Sequence, residues 1–253
     1  MAKIDKAVLL AAGRGTRMRE MTADLPKPML EVRGKPVLQY IVEGLREAGV
    51  GHFLIVVGYR ADAVQNFFGD GSRYKIEIQY ATQTVQDGTG RVIELAKNFV
   101  GLTPFVLGYG DILVAPENYK SVVDLPEDIE ALLSVTRGED VTKGGLVFFD
   151  GKFCLKRLVE KPSAAQLEEL RREGWLKPGD TAWYNAGIYI FRPSVFEFTA
   201  SLQKSPRGEY ELTDAVSALV AAGHVIAGMQ IEGRWVDVRD PEVLANLKEN
   251  PNV

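Results

Sequence analysis

Two residue types that build metal and redox sites are scarce in this chain. Its 253 residues include one cysteine, Cys154, and two histidines, His52 and His224. A single cysteine excludes an intramolecular disulfide and is typical of a reducing cytoplasm, which is the location we expect. Because Phe153 and Leu155 flank Cys154, we predict a buried, inert thiol. Each histidine starts a predicted strand, which indicates a structural role and argues against a zinc site.

Long apolar runs and a strong excess of charge are absent too. No apolar run approaches the roughly 18 residues that a membrane-spanning helix requires. Because the first predicted strand begins at residue 7, we expect no signal peptide. The formal net charge is -4, which gives no electrostatic basis for binding nucleic acid. We therefore expect neither a membrane nor a nucleic acid as partner, and the sequence leaves a homo-oligomer open.

Two common phosphate-binding motifs are missing as well. The P-loop pattern G-x-x-x-x-G-K-[ST] does not occur in the sequence. The dinucleotide pattern G-x-G-x-x-G starts at Gly13 and Gly15 but has Met18 in place of its third glycine. A phosphate site in this chain must therefore be built in another way.

A short apolar strand that runs into a cationic loop offers that alternative. Residues 7–18 read AVLLAAGRGTRM, and residues 25–30 read LPKPML. Glycines allow backbone N–H groups to approach an anion closely, while Arg17 and Lys27 can neutralise the charge of phosphates. The prolines on both sides of Lys27 fix the backbone and stiffen the segment. These residues predict a phosphate site made of backbone and cations.

Apolar strands alternate with amphipathic helices through the first half of the chain. This order predicts an α/β fold with a Rossmann-like sheet, mixed but mainly parallel, and helices on both faces. Ligands of such sheets bind at the carboxyl ends of the strands, where the glycine loop, residues 83–90 and Asp111 are expected to converge. Predicted strands cover residues 7–10, 53–57, 76–80, 105–107, 130–136, 145–149, 153–159, 185–191 and 225–230, and predicted helices cover 37–48, 61–68, 89–99, 163–173, 193–200, 213–222 and 240–250.

The two cationic segments resemble the sugar-1-phosphate nucleotidyltransferase family, in which L-A-A-G-x-G-T-R is followed by P-K-P. Other segments match the same family in the same order: QTVQDGTG at 83–90, GYGD at 108–111, KGGL at 143–146, VEKP at 159–162, YNAGIYIF at 184–191, GEYELTD at 208–214 and RWVD at 234–237. The GEYELTD segment resembles the uridylyl-transferring branch. The resemblance covers nearly the whole chain and implies the nucleotide-diphospho-sugar transferase type of fold. It implies one domain over residues 1–253, with a nucleotide-binding half at about 1–125 and a sugar-phosphate-binding half at about 126–253.

The resemblance also implies roles for individual residues. Arg17, Lys27 and Asp111 would be catalytic, and Asp111 and Asp237 would hold Mg²⁺, the expected cofactor. The residues expected to bind the nucleoside triphosphate are Leu10, Ala11, Ala12, Gly13, Gly15, Thr16, Arg17, Lys27, Gln83, Gln86, Gly88 and Thr89. The residues expected to bind the sugar 1-phosphate are Gly110, Gly145, Glu160, Lys161, Asn185 and Gly187.

The chemistry of the residues supports these roles and leaves some alternatives open. Gln83 and Gln86 carry donors and acceptors that suit the imide edge of uracil or thymine; alternatively, the segment is a polar loop in which Thr89 caps the next helix. Asp237 could cap the last helix instead of holding a metal, although Asp240 is placed to do so. On the sugar side, Gly144 competes with the adjacent glycine for the predicted backbone contact.

The expected reaction joins a sugar 1-phosphate to UTP or dTTP and releases pyrophosphate. The alternatives within this enzyme class are GTP or CTP as the nucleotide and a phosphomonoester such as phosphocholine as the acceptor. A non-catalytic regulatory homologue is a third alternative. Such a protein should have lost a metal aspartate or the loop lysine, and this chain keeps Lys27, Asp111 and Asp237.

Two further segments, and the position at which the sequence ends, complete the comparison with the family. Many relatives of the uridylyl branch carry a C-terminal β-helix with an acyltransferase site, but this sequence ends at Val253, so we expect no acyltransferase activity. Thr213 and Asp214 indicate a helix N-terminus, with Thr213 as its cap; direct contact with the ligand is the alternative. Residues 163–183 form a charged helix and loop that is either a substrate lid or a solvated surface helix, and Trp175 and Trp183 are the residues to test.

Overall fold

The computed structural model describes residues 2–177, 179 and 181–249, and only the backbone of residues 2, 16, 19 and 20. The side chain of Thr16, which we predict to bind the nucleotide, and residue 250, the predicted end of the last helix, therefore lie outside the described part. Within that part, no helix has the length and apolar character needed to cross a membrane.

Strands from both halves of the chain join one mixed sheet. In chain order we number the longer strands β1 (Lys6–Leu10), β2 (His52–Val57), β3 (Glu77–Thr82), β4 (Phe105–Tyr109), β5 (Ile112–Val114), β6 (Ala131–Arg137), β7 (Gly145–Phe149), β8 (Leu155–Glu160), β9 (Trp183–Phe191), β10 (Ile226–Gln230) and β11 (Trp235–Asp237). The sheet order is β8-β7-β9-β4-β1-β2-β3, and β6 pairs with both β9 and β10. Strands β1 to β4 are parallel to one another, whereas β9 runs antiparallel to β4, β6 and β7.

Helices cover both faces of this sheet. They are α1 (Val37–Glu47), α2 (Ala61–Phe68), α3 (Thr89–Val92), α4 (Lys97–Val100), α5 (Ala164–Arg172), α6 (Val195–Thr199), α7 (Leu212–Ala221) and α8 (Pro241–Glu249). Helices of the 3-10 type cover Thr16–Thr22, Lys27–Met29, Ser72–Tyr74, Ile93–Ala96, Pro116–Val122 and Val141–Lys143.

Two apolar cores form because side chains alternate along each buried strand. In β1, Leu9 packs with α1, α2 and α8 on one face, and Val8 packs with α3, α6 and α7 on the other. The same alternation separates Ile55 from Val56 in β2. Helix α1 buries Ile41 and its apolar neighbours at the helical spacing that predicted it. Burial on both faces fixes the sheet's register, and with it the positions of the loops that follow the strands.

Most predicted elements are confirmed, and the differences have physical causes. The helix predicted for 89–99 is broken into α3, a 3-10 turn and α4. Helix α7 begins one residue before Thr213, and Glu211 precedes it as the N-cap, so Thr213 is not the cap. Cys154 is only partly buried, because its neighbour Phe153 has φ +60° and turns the chain before β8 begins. Asp240 does cap α8, accepting a hydrogen bond from the backbone N–H of Val243 at 3.0 Å.

Candidate active site

Loops that follow the parallel strands meet at one edge of the sheet. The phosphate loop (residues 11–17) follows β1, the base loop (residues 83–90) follows β3, and Asp111 follows β4. Together with strands of the second half they enclose a cavity of about 470 Å³, a volume within the range of small-molecule sites. The carboxyl ends of parallel strands thus bring together segments that are distant in sequence.

The glycine of the phosphate loop and the lysine of the Pro-Lys-Pro segment are in direct contact. Gly15 has φ +68°, and a Cβ atom at this position would lie 2.8 Å from the Cβ atom of Lys27. Pro26 and Pro28 are buried, and the lysine opens a 3-10 turn that ends at Met29. Glycine is therefore required at position 15 for two reasons: its backbone conformation and the passage of the Lys27 side chain.

A short pair of strands brings Asp111 and Asp237 together. Strand β5 pairs with β11 so that Asp237 lies opposite Ile112. The backbone N–H of Val238 donates to the carbonyl oxygen of Asp111 at 3.0 Å. The indole N–H of Trp235 donates to the carbonyl oxygen of a residue in β9 at 2.9 Å, which anchors β11. These backbone contacts place the two carboxylates at the same point of the cavity wall.

Lys27 lies between these two carboxylates. Its Nζ atom is 2.5 Å from Oδ2 of Asp111 and 3.4 Å from Oδ1 of Asp237. Burial acts to lower the pKa of Lys27, but the charges of the two aspartates outweigh it, and the net pKa is raised. Burial and the adjacent Asp111 charge raise the pKa of Asp237. The lysine is therefore charged and offsets a repulsion that the pair of carboxylates would otherwise carry.

Arg17 is a second cation of this wall. It is exposed, lines the cavity and forms no ion pair with a described side chain. Its guanidinium group is therefore available to an anion, whereas the ammonium group of Lys27 already has partners. Arginine suits this task because its planar group donates two parallel hydrogen bonds to phosphate oxygens.

The base loop is fixed by contacts with the second half of the chain. The backbone N–H of Gly90 donates to the carbonyl oxygen of Tyr210 at 2.7 Å. The N–H of Tyr210 donates to the carbonyl oxygen of Asp87, also at 2.7 Å. Gly88 has φ +117°, and a Cβ atom there would lie 2.3 Å from the carbonyl oxygen of Tyr210. Thr89 does not cap its own helix; its hydroxyl accepts from the N–H of Leu212 at 3.4 Å.

The two glutamines of the base loop hold the loop in shape. Nε2 of Gln86 donates to the carbonyl oxygen of Ala12 at 2.9 Å, which ties the base loop to the phosphate loop. Nε2 of Gln83 donates to the carbonyl oxygen of Val85 at 2.9 Å. Both glutamines line the cavity, and the Nε2 atom of each donates a hydrogen bond to a backbone carbonyl that stabilises the loop.

The opposite wall of the cavity carries Glu160 and Lys161 at the end of β8. Lys161 has φ +45°, a conformation rarely populated by a residue with a side chain and often found at functional sites. Its N–H donates to the carbonyl oxygen of Gly144 at 2.8 Å, and its Nζ lies 3.9 Å from the Glu160 carboxylate. Burial raises the pKa of Glu160, the Lys161 charge acts against it, and the Glu211 charge adds to it.

Both polar atoms of the Asn185 side chain are hydrogen-bonded within the protein, although the sequence predicted a contact with a sugar. Its Nδ2 donates to the hydroxyl of Tyr189 at 2.6 Å, and its Oδ1 accepts from the N–H of Gly187 at 3.1 Å. Gly187 has φ +78°, and a Cβ atom there would lie 2.4 Å from the side chain of Ile112. Asn185 therefore orders a bend of β9 in the cavity wall.

Most residues predicted from the sequence line this cavity. They are Leu10, Ala12, Gly13, Arg17, Lys27, Gln83, Gln86, Gly88, Thr89, Asp111, Gly145, Glu160, Lys161, Asn185, Gly187 and Asp237. Ala11, Gly15 and Gly110 stand behind it: Ala11 is buried, and the N–H of Gly110 donates to the carbonyl oxygen of Leu10 at 2.9 Å. Both Gly144 and Gly145 line the wall.

Other lining residues were not predicted as ligands. They are Pro28, Val92, Tyr109, Ile112, Lys143, Tyr184, Glu209, Glu211, Trp235 and Arg239. Glu209 and Glu211 belong to the GEYELTD segment, whose Thr213 also lines the cavity, whereas Asp214 does not. The strand ends at Asp237, and the N–H of Arg239 donates to the carbonyl oxygen of Asp237 at 2.8 Å in a tight turn. No pattern in the sequence indicated this turn, so Arg239 was not found.

A loop that requires glycine, together with cations and paired carboxylates at the carboxyl ends of parallel strands, is typical of α/β proteins that bind phosphates. Within that class the chain belongs to the nucleotidyl transferase family, whose family model matches residues 6–250. The resemblance inferred from the motifs is thereby confirmed.

Proteins with related sequences carry nucleotidyltransferase names. The chain is 35% identical to Agl11 of Haloferax volcanii, a low-salt glycan biosynthesis nucleotidyltransferase, over 94% of this chain and 63% of that protein. It is 33% identical to a glucose-1-phosphate thymidylyltransferase of Streptomyces griseus, over 92% and 62% of the two chains. It is 29% identical to AglF of H. volcanii, a UTP–glucose-1-phosphate uridylyltransferase, over 94% and 92%. The chain thus spans less than two thirds of the first two relatives.

A solved structure of similar shape supports the fold. A UDP-glucose pyrophosphorylase in complex with UDP-glucose superimposes with a TM-score of 0.81 at 24% identity, over 97% of each chain. The expected α/β fold of the nucleotide-diphospho-sugar transferase type is confirmed.

Proposed function

We propose that this protein joins a sugar 1-phosphate to UTP or dTTP and releases pyrophosphate. The observation that carries the proposal is the meeting of Lys27, Asp111 and Asp237 in a cavity that Arg17 also lines. Such a set of charges suits a reaction in which two phosphate anions must approach each other. The names of AglF and of the S. griseus relative support a uridylyl or thymidylyl transfer.

In the proposed reaction an oxygen of the sugar phosphate attacks the α-phosphorus of the nucleotide. A new P–O bond forms, the bond from the α-phosphorus to the bridging oxygen of the β-phosphate breaks, and pyrophosphate leaves with the bonding electrons. The nucleophile is already an anion, so no general base is needed. The protein contributes alignment and charge neutralisation, from Arg17 and Lys27 on the nucleotide side and from Lys161 on the sugar side.

The carboxylate pair fits the ligand set of Mg²⁺. This ion takes one or two protein carboxylates, keeps several waters and completes its shell with phosphate oxygens. Asp111 and Asp237 share one cation at 2.5 and 3.4 Å, so their oxygens already face a common point. Bound Mg²⁺ would supply charge neutralisation at the phosphates there.

Two walls of the cavity would select the base and the acceptor. Gln83 and Gln86 stand at the cavity surface and suit the imide edge of a pyrimidine. The opposite wall presents Glu160 and the backbone of Gly145, which suit a hydroxyl-rich acceptor. A choline group would require an aromatic or anionic cage; because Tyr184, Glu209 and Glu211 also line the cavity, phosphocholine is the second candidate acceptor.

A matrix of nucleoside triphosphates against hexose 1-phosphates, with Mg²⁺ and a pyrophosphate readout, tests the proposal. We expect release with UTP or dTTP and one hexose 1-phosphate, and loss of release when EDTA removes the metal. Asp111→Asn should fold, as judged by circular dichroism, and lose the metal-dependent release. Release with GTP or CTP alone would overturn the base assignment, and no release from any pair would overturn the proposed reaction.

A further inference from the structure

Lys27 occupies the position that the carboxylate pair would offer to a metal ion. Its ammonium group contacts Asp111 at 2.5 Å and Asp237 at 3.4 Å, and its side chain is only 13% exposed. The two aspartates themselves are partly exposed, at 28% and 25%. One monovalent cation therefore neutralises part of a pair that carries two negative charges.

The ammonium group and a divalent cation would need the same oxygen atoms. An ammonium group on a carboxylate donates hydrogen bonds to the oxygens that a metal must coordinate directly. Two cations at one point also repel each other strongly in a partly buried site. The site can therefore hold the lysine or the metal on these oxygens, and not both together.

The lysine has room to leave only towards the cavity. Its stem is held by Gly15, whose missing Cβ would lie 2.8 Å from the Lys27 Cβ, and by Pro26 and Pro28, which are both buried. Its outer part lines the cavity. The end of the side chain can change partners while its base stays fixed, and a phosphate in the cavity would give it one.

We infer that Lys27 is an exchangeable counter-cation that keeps the Asp111–Asp237 site closed to divalent metal until a phosphate-bearing ligand draws it away. The inference deepens the proposed function, because it rests on the same pair of carboxylates. Metal and triphosphate then favour each other's binding beyond simple chelation, since each removes an obstacle to the other. By linkage the effect is the same in both directions.

Binding of Mn²⁺ to the full-length protein without any substrate tests this inference. Mn²⁺ is followed by its electron paramagnetic resonance signal and by calorimetry. The wild-type protein should bind it weakly, and Lys27→Met at least tenfold more tightly. Lys27→Gln, which keeps a hydrogen-bond donor but no charge, should show the same gain and serves if the methionine variant does not fold.

A matched control separates exchange at the site from a general loss of positive charge. Lys143 lines the same cavity and pairs with Asp140 at 3.5 Å instead of with the two aspartates. Lys143→Met should leave Mn²⁺ binding within about twofold of the wild type. Equal gains in the Lys143 and Lys27 variants, or no gain in either uncharged Lys27 variant, would overturn the inference.

A double variant locates the metal. Adding Asp111→Asn to Lys27→Met should remove the gained Mn²⁺ affinity, because the oxygens uncovered by the first change lose their charge. Persistent tight binding in the double variant would contradict the inference. Since no substrate or turnover enters these measurements, they can fail while the proposed reaction holds, and they can succeed if the reaction proves to be another one.

Discussion

The two walls of the cavity, which we name after their proposed substrates, differ in how closely a cation approaches the carboxylates. The nucleotide wall carries Lys27, Asp111 and Asp237, and the acceptor wall carries Glu160, Lys161 and Glu211. On the nucleotide wall, Asp111 and Asp237 share the ammonium group of Lys27. On the acceptor wall, burial raises the pKa of Glu160, and the charge of Glu211 adds to this effect. Nζ of Lys161 stays 3.9 Å from the Glu160 carboxylate, so its charge offsets the effect only in part.

This difference indicates different tasks. A cation between two carboxylates can be exchanged for another cation or for a phosphate partner, which suits the binding of polyphosphate. A buried carboxylate gains from any hydrogen-bond donor that approaches it, and hydroxyl groups are such donors. Arg207, whose Nη2 lies 2.8 Å from the carboxylate of Glu211, offsets the negative charge of Glu211 but forms no ion pair with Glu160.

Removal of the lysine should break the nucleotide wall and give the largest effect. Lys27→Ala should lower kcat for pyrophosphate release at least about 100-fold, the typical loss for one electrostatic donor in a transition state. Lys143→Ala, which removes the same charge from the same cavity, is the control and should lose far less. An undiminished kcat in Lys27→Ala would remove the lysine from the proposed mechanism.

Much of the nucleotide wall could be predicted because its residues follow parallel strands. The phosphate loop directly follows β1, and Asp111 lies two residues after β4, so the local pattern of apolar strands was enough to predict that both lie at the same edge of the sheet. The position of Asp237 depends on the pairing of β11 with β5, a long-range contact that no local pattern specifies. Only the family resemblance identified that residue.

The acceptor wall was predicted less completely for the same reason. Strand β9 contacts three antiparallel neighbours, with a shift of register opposite Leu133 and Val135, so which residues face the cavity depends on tertiary packing. Glu211 entered the wall because Tyr210 is hydrogen-bonded to the base loop. Short motifs do not carry that information.

The contact between the two walls can be broken at Gly88. A Cβ atom there would lie 2.3 Å from the carbonyl oxygen of Tyr210, at φ +117°, a conformation that costs other residues about 1–3 kcal/mol. Gly88→Ala should therefore displace the base loop and raise KM for the nucleotide about tenfold or more, because tenfold corresponds to about 1.4 kcal/mol.

Gly101→Ala is the matched control for this change. Gly101 also has a positive φ, +63°, but nothing lies within 4 Å of its missing Cβ, and it does not line the cavity. It should lose some thermal stability and keep the wild-type KM. If both variants had the same KM, the contact with Tyr210 would not position the base loop.

Removing the charge of Glu160 tests the acceptor wall, because the effect on the free energy of unfolding should depend on pH. A carboxyl whose pKa is raised in the folded state binds more protons than in the unfolded state, so it lowers stability as the pH rises above its ordinary value of 4.5. Glu160→Gln should therefore increase the free energy of unfolding at pH 7, and the gain should vanish below pH 4.5.

The same variant should bind the acceptor less well. A charged acceptor of a hydrogen bond contributes about 1.5–3 kcal/mol, so KM for the sugar phosphate should rise about tenfold or more. Denaturant unfolding at pH 7 and pH 4 measures the first effect, with the exposed Glu117→Gln as control. A variant less stable than the wild type at pH 7 would contradict the raised pKa of Glu160.

The smallest effect is expected from a substitution of Trp175, which tests whether residues 163–183 form a substrate lid or a surface helix. None of the described residues from 163 to 183 lines the main cavity. Trp175 instead packs on Phe148, with ring centroids 5.3 Å apart, and beside Arg157, at the edge of a second cavity of about 440 Å³. Helix α5 is fixed locally by a capping box at Ser163. These contacts favour the surface helix.

Trp175→Ala should therefore cost about 1 kcal/mol of stability, the value of one aromatic pair, and leave both KM values unchanged. Trp183→Ala is the informative companion, because Trp183 packs on Phe153 at 5.2 Å and under Arg137 at 3.8 Å and begins the strand that continues to Asn185. Its loss should cost more stability than that of Trp175 and disturb the acceptor wall. A change in acceptor KM with Trp175→Ala alone would instead assign this segment to a lid that closes over the bound sugar phosphate.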